Sequence, residues 1–142
     1  MPYMTGKVFI DTNILLYAEF DDGSDKHHVT KKLLLQDILG AEIFISTQVF
    51  NEFYVQAIRK GKSAGEIEEV LQQYITKFNV LPLDLNIVKD TWRIKRKYKF
   101  SYWDSLIVAA SLSIGCNVLY TEDLQDGQII ENTLNVINPM LH

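Results

Sequence analysis

Lys7-Val8-Phe9-Ile10-Asp11-Thr12-Asn13 is the stretch on which the fold turns. Two β-branched residues and one aromatic stop abruptly at an acid. A run this short and this apolar suits a strand buried on both faces of a parallel sheet. The pattern recurs down the chain. Ile43-Phe44-Ile45 predicts a second strand, Val80-Leu81-Pro82-Leu83 a third, Val118-Leu119-Tyr120 a fourth and Leu134-Asn135-Val136-Ile137 a fifth. Pro82 has no N–H to give to a ladder, which puts the third strand at its end or at a sheet edge.

Helical spacing fills the gaps. Val29, Leu33, Leu34 and Ile38 recur on one face before Gly40, and Val49, Phe50, Phe53, Tyr54 and Ile58 form a broad apolar face before Gly61. Ser63-Ala64-Gly65-Glu66 has the form of a capping box, opening a helix whose stripe is Ile67, Val70, Leu71, Tyr74, Ile75 and Phe78. Asp84 can cap a helix carrying Ile87, Val88, Trp92, Ile94 and Tyr98. Ser101 can cap another through Leu106, Ile107, Val108, Ala109, Ala110 and Leu112, closed by Gly115. Strands alternating with helices imply a three-layer α/β/α sandwich around a mainly parallel sheet of about five strands. With no repeat, low-complexity tract or linker, the expectation is a single domain over residues 1–142.

The chain has 142 residues, 47% hydrophobic and 23% charged, with a net charge of -4. A domain of this size buries about two-thirds of its unfolded surface and needs no disulfides. Cys116, the only cysteine, has no partner within the chain and is expected to pack as a small apolar side chain. No run approaches the roughly 20 apolar residues of a membrane span. Met1 to Lys7 lacks the basic and apolar regions of a signal peptide. These features point to a cytoplasmic protein without membrane contact. The bases cluster: Arg59, Lys60 and Lys62 form one group, and Lys89, Arg93, Lys95, Arg96, Lys97 and Lys99 another.

The acids are more telling. Parallel sheets place ligands beyond the carboxyl ends of their strands. Asp11 ends the first strand, Glu52 lies on the helix after the second, Asp104 in the first turn of the helix before the fourth, and Asp123 just beyond the fourth with Asp126 following. Each has an ordinary reading too: a strand end for Asp11, a dipole-stabilising helix start for Asp104, a polar turn for Asp123 and Asp126. Glu52, between Phe50 and Phe53, is out of place as a solvated residue. Several carboxylates aimed at one edge would repel one another unless a cation neutralised them, and an all-oxygen set suits Mg²⁺ or Mn²⁺. Glu122, by contrast, is expected to be solvated, and His27 and His28 to be surface residues.

Val-Phe-Ile-Asp11-Thr12-Asn13-Ile-Leu-Leu-Tyr, Gln48-Val-Phe-Asn51-Glu52-Phe, Tyr-Trp-Asp104-Ser-Leu-Ile-Val-Ala-Ala and Leu-Tyr-Thr121-Glu-Asp123-Leu-Gln together resemble the signatures of PIN-domain ribonucleases. The likeness is to VapC-type toxins of prokaryotic toxin–antitoxin pairs, and it runs from about Lys7 to Pro139. It implies that Asp11, Glu52, Asp104 and Asp123 form a catalytic and metal-binding quartet holding one or two Mg²⁺ or Mn²⁺ ions. Asn13 and Thr121 match site-supporting positions, and Asp126 matches a variable position that makes it a further candidate ligand. The implied activity is endonucleolytic hydrolysis of RNA, leaving a 3′-hydroxyl and a 5′-phosphate. A homodimer and a cognate antitoxin covering the acidic groove are implied with it. Two bound divalent ions would also offset the net charge of -4.

For RNA, Lys89, Arg93, Arg96 and Lys97 recur at helical spacing and form a candidate phosphate rail, with Arg59, Lys60 and Lys62 as a second contact. The alternative for the helix is a solvated face. Tyr102 and Trp103 can stack on an unpaired base, or pack a helix or subunit instead. A phosphoaspartate receiver would want paired acids after the first strand and a lysine after the last ones. A haloacid-dehalogenase-type phosphatase would want an acid where Asn13 stands. The alternatives retained are a non-catalytic PIN-like module binding RNA or protein, and a housekeeping RNA-processing nuclease.

Overall fold

The structure, a computed structural model, describes residues 6–142; Met1 to Thr5, part of the stretch read for a targeting signal, lie outside the described residues. The strands are β1 (Lys7–Ile10), β2 (Glu42–Ser46), β3 (Asn79–Leu81), β4 (Val118–Tyr120), β5 (Ile129–Ile130) and β6 (Leu134–Ile137). The helices are α1 (Thr12–Glu19), α2 (Lys26–Lys32), α3 (Thr47–Arg59), α4 (Ala64–Lys77), α5 (Leu85–Tyr98) and α6 (Tyr102–Ser113). A short π-helical stretch, Leu33–Asp37, prolongs α2, and a 3₁₀ turn, Pro139–Leu141, ends the chain.

One six-stranded sheet has the order β3-β2-β1-β4-β6-β5. All pairings are parallel except β5 with β6. The five expected strands are present, and β5 adds a two-residue antiparallel edge whose Ile129-Ile130 pair is too short to announce a strand. β3 lies at the other edge and stops at Leu81, just before Pro82. Val8, Phe9, Ile10 and Leu119 are fully buried, as a sheet covered on both faces demands. Between β1 and β4 the strand order reverses, and at such a switch point the connections diverge and leave a crevice beyond the strand ends.

Local chemistry sets the helix starts. Ser63 and Glu66 make the full capping box of α4. The Asp84 carboxylate accepts from Ile87 N at 2.9 Å, and the Ser101 hydroxyl accepts from Asp104 N at 3.1 Å. Each such cap stabilises its helix by about 1 kcal/mol. α5 departs from expectation on its buried face, which is Ile87, Thr91 and Ile94, while Trp92 is exposed. Thr91 tolerates the interior because its hydroxyl donates to the Ile87 carbonyl at 2.8 Å. On α3 the buried face is Gln48, Val49, Phe53 and Ala57, and Tyr54 and Ile58 face outward. On α4, Ile67 and Tyr74 are buried and Ile75 is exposed. Cys116 is buried, as its apolar reading expects. Among the described residues no helix is long and apolar enough to cross a membrane.

Candidate metal centre

Asp11 leaves β1 in extended backbone and caps α1, its Oδ1 accepting from Thr12 N at 2.7 Å. Its own N–H donates to the Tyr120 carbonyl at the end of β4, at 3.0 Å, which ties the two strand ends together. Its second oxygen accepts from the Thr121 hydroxyl at 2.8 Å. Both carboxylate oxygens are therefore aimed by hydrogen bonds, on a residue only 4% exposed.

The loop after β4 brings the next acid. The Thr121 hydroxyl accepts from Asp123 N at 3.0 Å while donating to Asp11, so one buried hydroxyl sets two acids. Asn13 Nδ2 donates to Asp123 Oδ2 at 2.9 Å, and Asn13 Oδ1 accepts from Glu122 N at 3.4 Å. Both sequence-predicted supporting residues, Asn13 and Thr121, thus touch the acids directly.

Asp104 comes from the N-terminus of α6, where the first-turn reading and the site reading coincide. Oxygens of Asp11, Asp104 and Asp123 lie within 4.8 Å of one another, close enough for one cation to reach all three. Glu52, from the second turn of α3, accepts from the Thr12 hydroxyl at 2.9 Å and lines the same cleft. The cleft has a volume of about 300 Å³, with Lys60 and Trp103 also on its wall. Asp126 is placed elsewhere, accepting from Asn138 N at 2.8 Å and facing His142 Nε2 at 3.0 Å.

The electrostatics follow from crowding acids in a partly dry place. Burial pushes the Asp11 carboxyl up to about 7; the Thr121 and Thr12 hydrogen bonds oppose this, and the charges of Asp123 and Glu52 add to it. Asp104 is raised by burial and by Glu52, against its hydrogen bond from Ser101. Asp123 is raised by burial and by Asp104 and Glu122, against Asn13. The donor set is all oxygen, and no histidine or cysteine lines the cleft, so its chemistry fits a hard divalent cation.

The basic residues divide. Lys60 lines the cleft and Arg59 an adjoining groove, while Lys62 Nζ lies 4.9 Å from the Phe20 ring centroid. On α5, Arg93 pairs with Asp90 at 2.7 Å and also with Glu131, and Lys97 pairs with Glu131 at 2.5 Å. Glu131 sits in the β5–β6 turn, at the edge where β6 begins, opposite the edge where β1 and β4 end. Neither Lys89 nor Arg96 lines the cleft.

Glu122 corrects the expectation of a solvated acid. It accepts from Tyr17 Oη at 2.5 Å and pairs with Lys26 Nζ at 3.1 Å. Tyr17 and Gln48 fall inside the quoted motifs, which assign them no role in the site; both line the cleft, on helix faces that carry no chemical signal by themselves.

The family model for the PIN domain matches residues 8–125. No curated protein matches the sequence. Among solved structures the fold is similar to a toxin–antitoxin complex from Klebsiella pneumoniae, with a TM-score of 0.68 and 21% identity, covering 93% of this chain and 97% of that one. It is similar also to VapBC2 from Rickettsia felis bound to a promoter DNA fragment, with a TM-score of 0.65 and 16% identity over 93% and 99% of the two chains. VapC20 of Mycobacterium tuberculosis, a toxin that cleaves the sarcin-ricin loop, gives 0.66 and 16% over 79% and 86%. At these identities the likeness is one of fold.

Proposed function

This chain belongs to the PIN-domain family, and from that premise we propose that it is a metal-dependent endoribonuclease, the toxin of a toxin–antitoxin pair. The observation that carries the reading is the convergence of Asp11, Asp104 and Asp123 from three separate parts of the chain to within 4.8 Å. Burial, with smaller additions from the charges of Asp123 and Glu52, pushes the Asp11 carboxyl up to about 7, and a bound cation would offset that cost. Asp11, Asp104 and Asp123 would hold one or two Mg²⁺ or Mn²⁺ ions, with Glu52 beside them. Such an ion supplies positive charge to the scissile phosphate and lowers the pKa of the attacking water.

The chain's own residues orient and attract. Thr121 and Asn13 fix the carboxylates of Asp11 and Asp123, and Thr12 fixes that of Glu52, so little reorganisation is needed when a phosphate arrives. Lys60 on the cleft wall draws in the polyanion. In-line attack adds hydroxide to phosphorus and returns the proton to the departing 3′-oxygen. The products are a 3′-hydroxyl and a 5′-phosphate.

The structurally similar toxin–antitoxin complexes support a cognate antitoxin as partner. A segment of that antitoxin is proposed to cover the acidic cleft, and the chain to act as a cytoplasmic homodimer. The test incubates purified protein with a mixed RNA pool, with and without Mg²⁺ or Mn²⁺, beside Asp11→Asn and Asp104→Asn variants. Cleavage is expected only with the ion and the intact acids. Cleavage that persists in EDTA, or equally in the variants, overturns the metal mechanism. A small upstream gene encoding a DNA-binding protein that silences the activity on co-expression is the expected sign of the toxin role.

A further inference from the structure

Beside the acidic cleft lies a second groove of about 600 Å³, lined by Val55, Leu83 and Leu106 together with the polar Thr47, Asn51 and Arg59. Gln48, Glu52, Gln56 and Trp103 line both, so the two spaces are continuous. Trp103 is 60% exposed, although it lies in the first turn of α6, whose body from Ser105 on is buried. An indole left in water forgoes much of the stabilisation its burial would give. Its backbone and its ring do have partners. Tyr102 packs edge-on against it at 5.2 Å and 88°, and Gln48 Nε2 donates to its carbonyl at 3.2 Å. An exposed aromatic face thus stands between the acidic cleft and a groove that offers apolar surface and the Arg59 cation.

We propose that this groove is a nucleobase subsite, in which an unpaired base next to the scissile phosphate stacks on Trp103. The proposal rests on the nuclease reading and names its substrate class as single-stranded or unpaired RNA. Charge complementarity and continuity with the cleft favour a nucleotide over an apolar side chain from a partner protein. A polynucleotide uses the apolar face for its base and both cations for its backbone. Glu52 and Arg59 lie seven residues apart on α3, about 10 Å along its axis. That separation lets Arg59 meet the phosphate beyond the unstacked nucleotide while the scissile phosphate sits at the acids.

Two measurements test this. In the first, a Trp92→Phe, Asp123→Asn chain, whose tryptophan emission comes from Trp103 alone, is titrated with a short single-stranded RNA in Mg²⁺. Quenching is expected, and is expected to vanish when one position of the RNA is made abasic. Absence of RNA binding, or binding without quenching, overturns the subsite. Quenching by an RNA that the unsubstituted chain never cuts keeps the subsite and removes the nuclease reading instead.

In the second, kcat/KM is measured for intact and singly abasic RNAs. One abasic position flanking the cut should cost about ten- to a hundredfold in the unsubstituted chain, and nothing further in Trp103→Ala. Trp103→Phe should restore most of the discrimination, which separates stacking from a folding defect. Additive losses in the two-way comparison overturn the proposal while leaving the nuclease intact. So does a Trp103→Ala chain that changes its oligomeric state without changing the abasic penalty, which would assign the groove to a protein contact.

Discussion

The Tyr17 hydroxyl donates a 2.5 Å hydrogen bond to Glu122, the residue immediately before Asp123. Lys26 closes the triangle, its Nζ 3.1 Å from both Tyr17 Oη and Glu122 Oε2 and 4.7 Å from the Tyr17 ring centroid. Burial, and the bond to Glu122, hold the Tyr17 hydroxyl above its ordinary pKa, so at neutral pH it remains a donor. α1 and α2 therefore grip the loop that delivers an acid to the cleft, and Asn13 grips it from the cleft side.

Removing that grip should loosen the metal centre without unfolding the chain. Partners that orient metal ligands are worth about 10–100-fold in affinity. Because Asn13 remains, Tyr17→Phe is expected near the lower end, about tenfold weaker Mn²⁺ binding by calorimetric titration at unchanged thermal stability. Glu122→Gln should fall in the same range. Unchanged affinity in both variants would mean that Asn13 alone sets the loop.

Asp11 makes the stability of the metal-free chain depend on pH. Its carboxyl lies at about 7 when folded and near 3.8 when not, so between those values the folded state binds more protons than the unfolded one. Stability then falls as pH rises through that window and levels off above it. The urea midpoint in EDTA is expected to be lower at pH 8 than at pH 5. Asp11→Asn should flatten the difference, and Mg²⁺ should restore stability at pH 8 in the unsubstituted chain only. A midpoint in EDTA that rises from pH 5 to pH 8 equally in both chains contradicts this account.

What the sequence made legible was local. Ser63, Asp84 and Ser101 announce helices because a cap needs only one side chain and a backbone N–H three residues on. The apolar runs announce strands for the same reason. α1 has no signature of its own in the sequence, since Ile14 and Leu15 are buried beside Ala18 and no clean stripe stands out from a strand exit. The site acids were legible as strand-end and helix-start residues, and the fold supplies what position alone could not, the 4.8 Å approach of three of them. Pairings across long stretches of chain were hidden. Nothing near Arg93 and Lys97 foretells Glu131, and nothing near Glu122 foretells Tyr17.

Ser101 serves both the fold and the site. Its hydroxyl accepts from Asp104 N at 3.1 Å, capping α6, and its hydrogen bonding to Asp104 opposes the rise that burial imposes on that carboxyl. Ser101→Ala should cost about 1 kcal/mol in denaturant unfolding. Ser101→Asp, which keeps the cap, should recover stability, and its added negative charge beside Asp104 should lower the Mg²⁺ concentration needed for half-maximal cleavage. A loss of stability in Ser101→Asp as large as in Ala would show that the cap is not what the serine contributes.

The two basic groups should separate in their salt dependence. Lys60 stands on the wall of the cleft, whereas Lys97 is held by Glu131 at the opposite edge of the sheet. Glu131 itself is held down to about 2, chiefly by Lys97 and then by Tyr98 and Arg93, so the pairing persists throughout the neutral range. A lysine already matched to a carboxylate releases little counterion when RNA arrives, while one facing a phosphate releases about one. Lys60→Ala is therefore expected to weaken RNA binding across sequences and to reduce the slope of log affinity against log salt by about 0.7 for a single strand. Lys97→Ala should leave that slope unchanged. Fluorescence anisotropy across a salt series measures both, and an equal loss of slope in the two variants would place the α5 stripe in the RNA path after all.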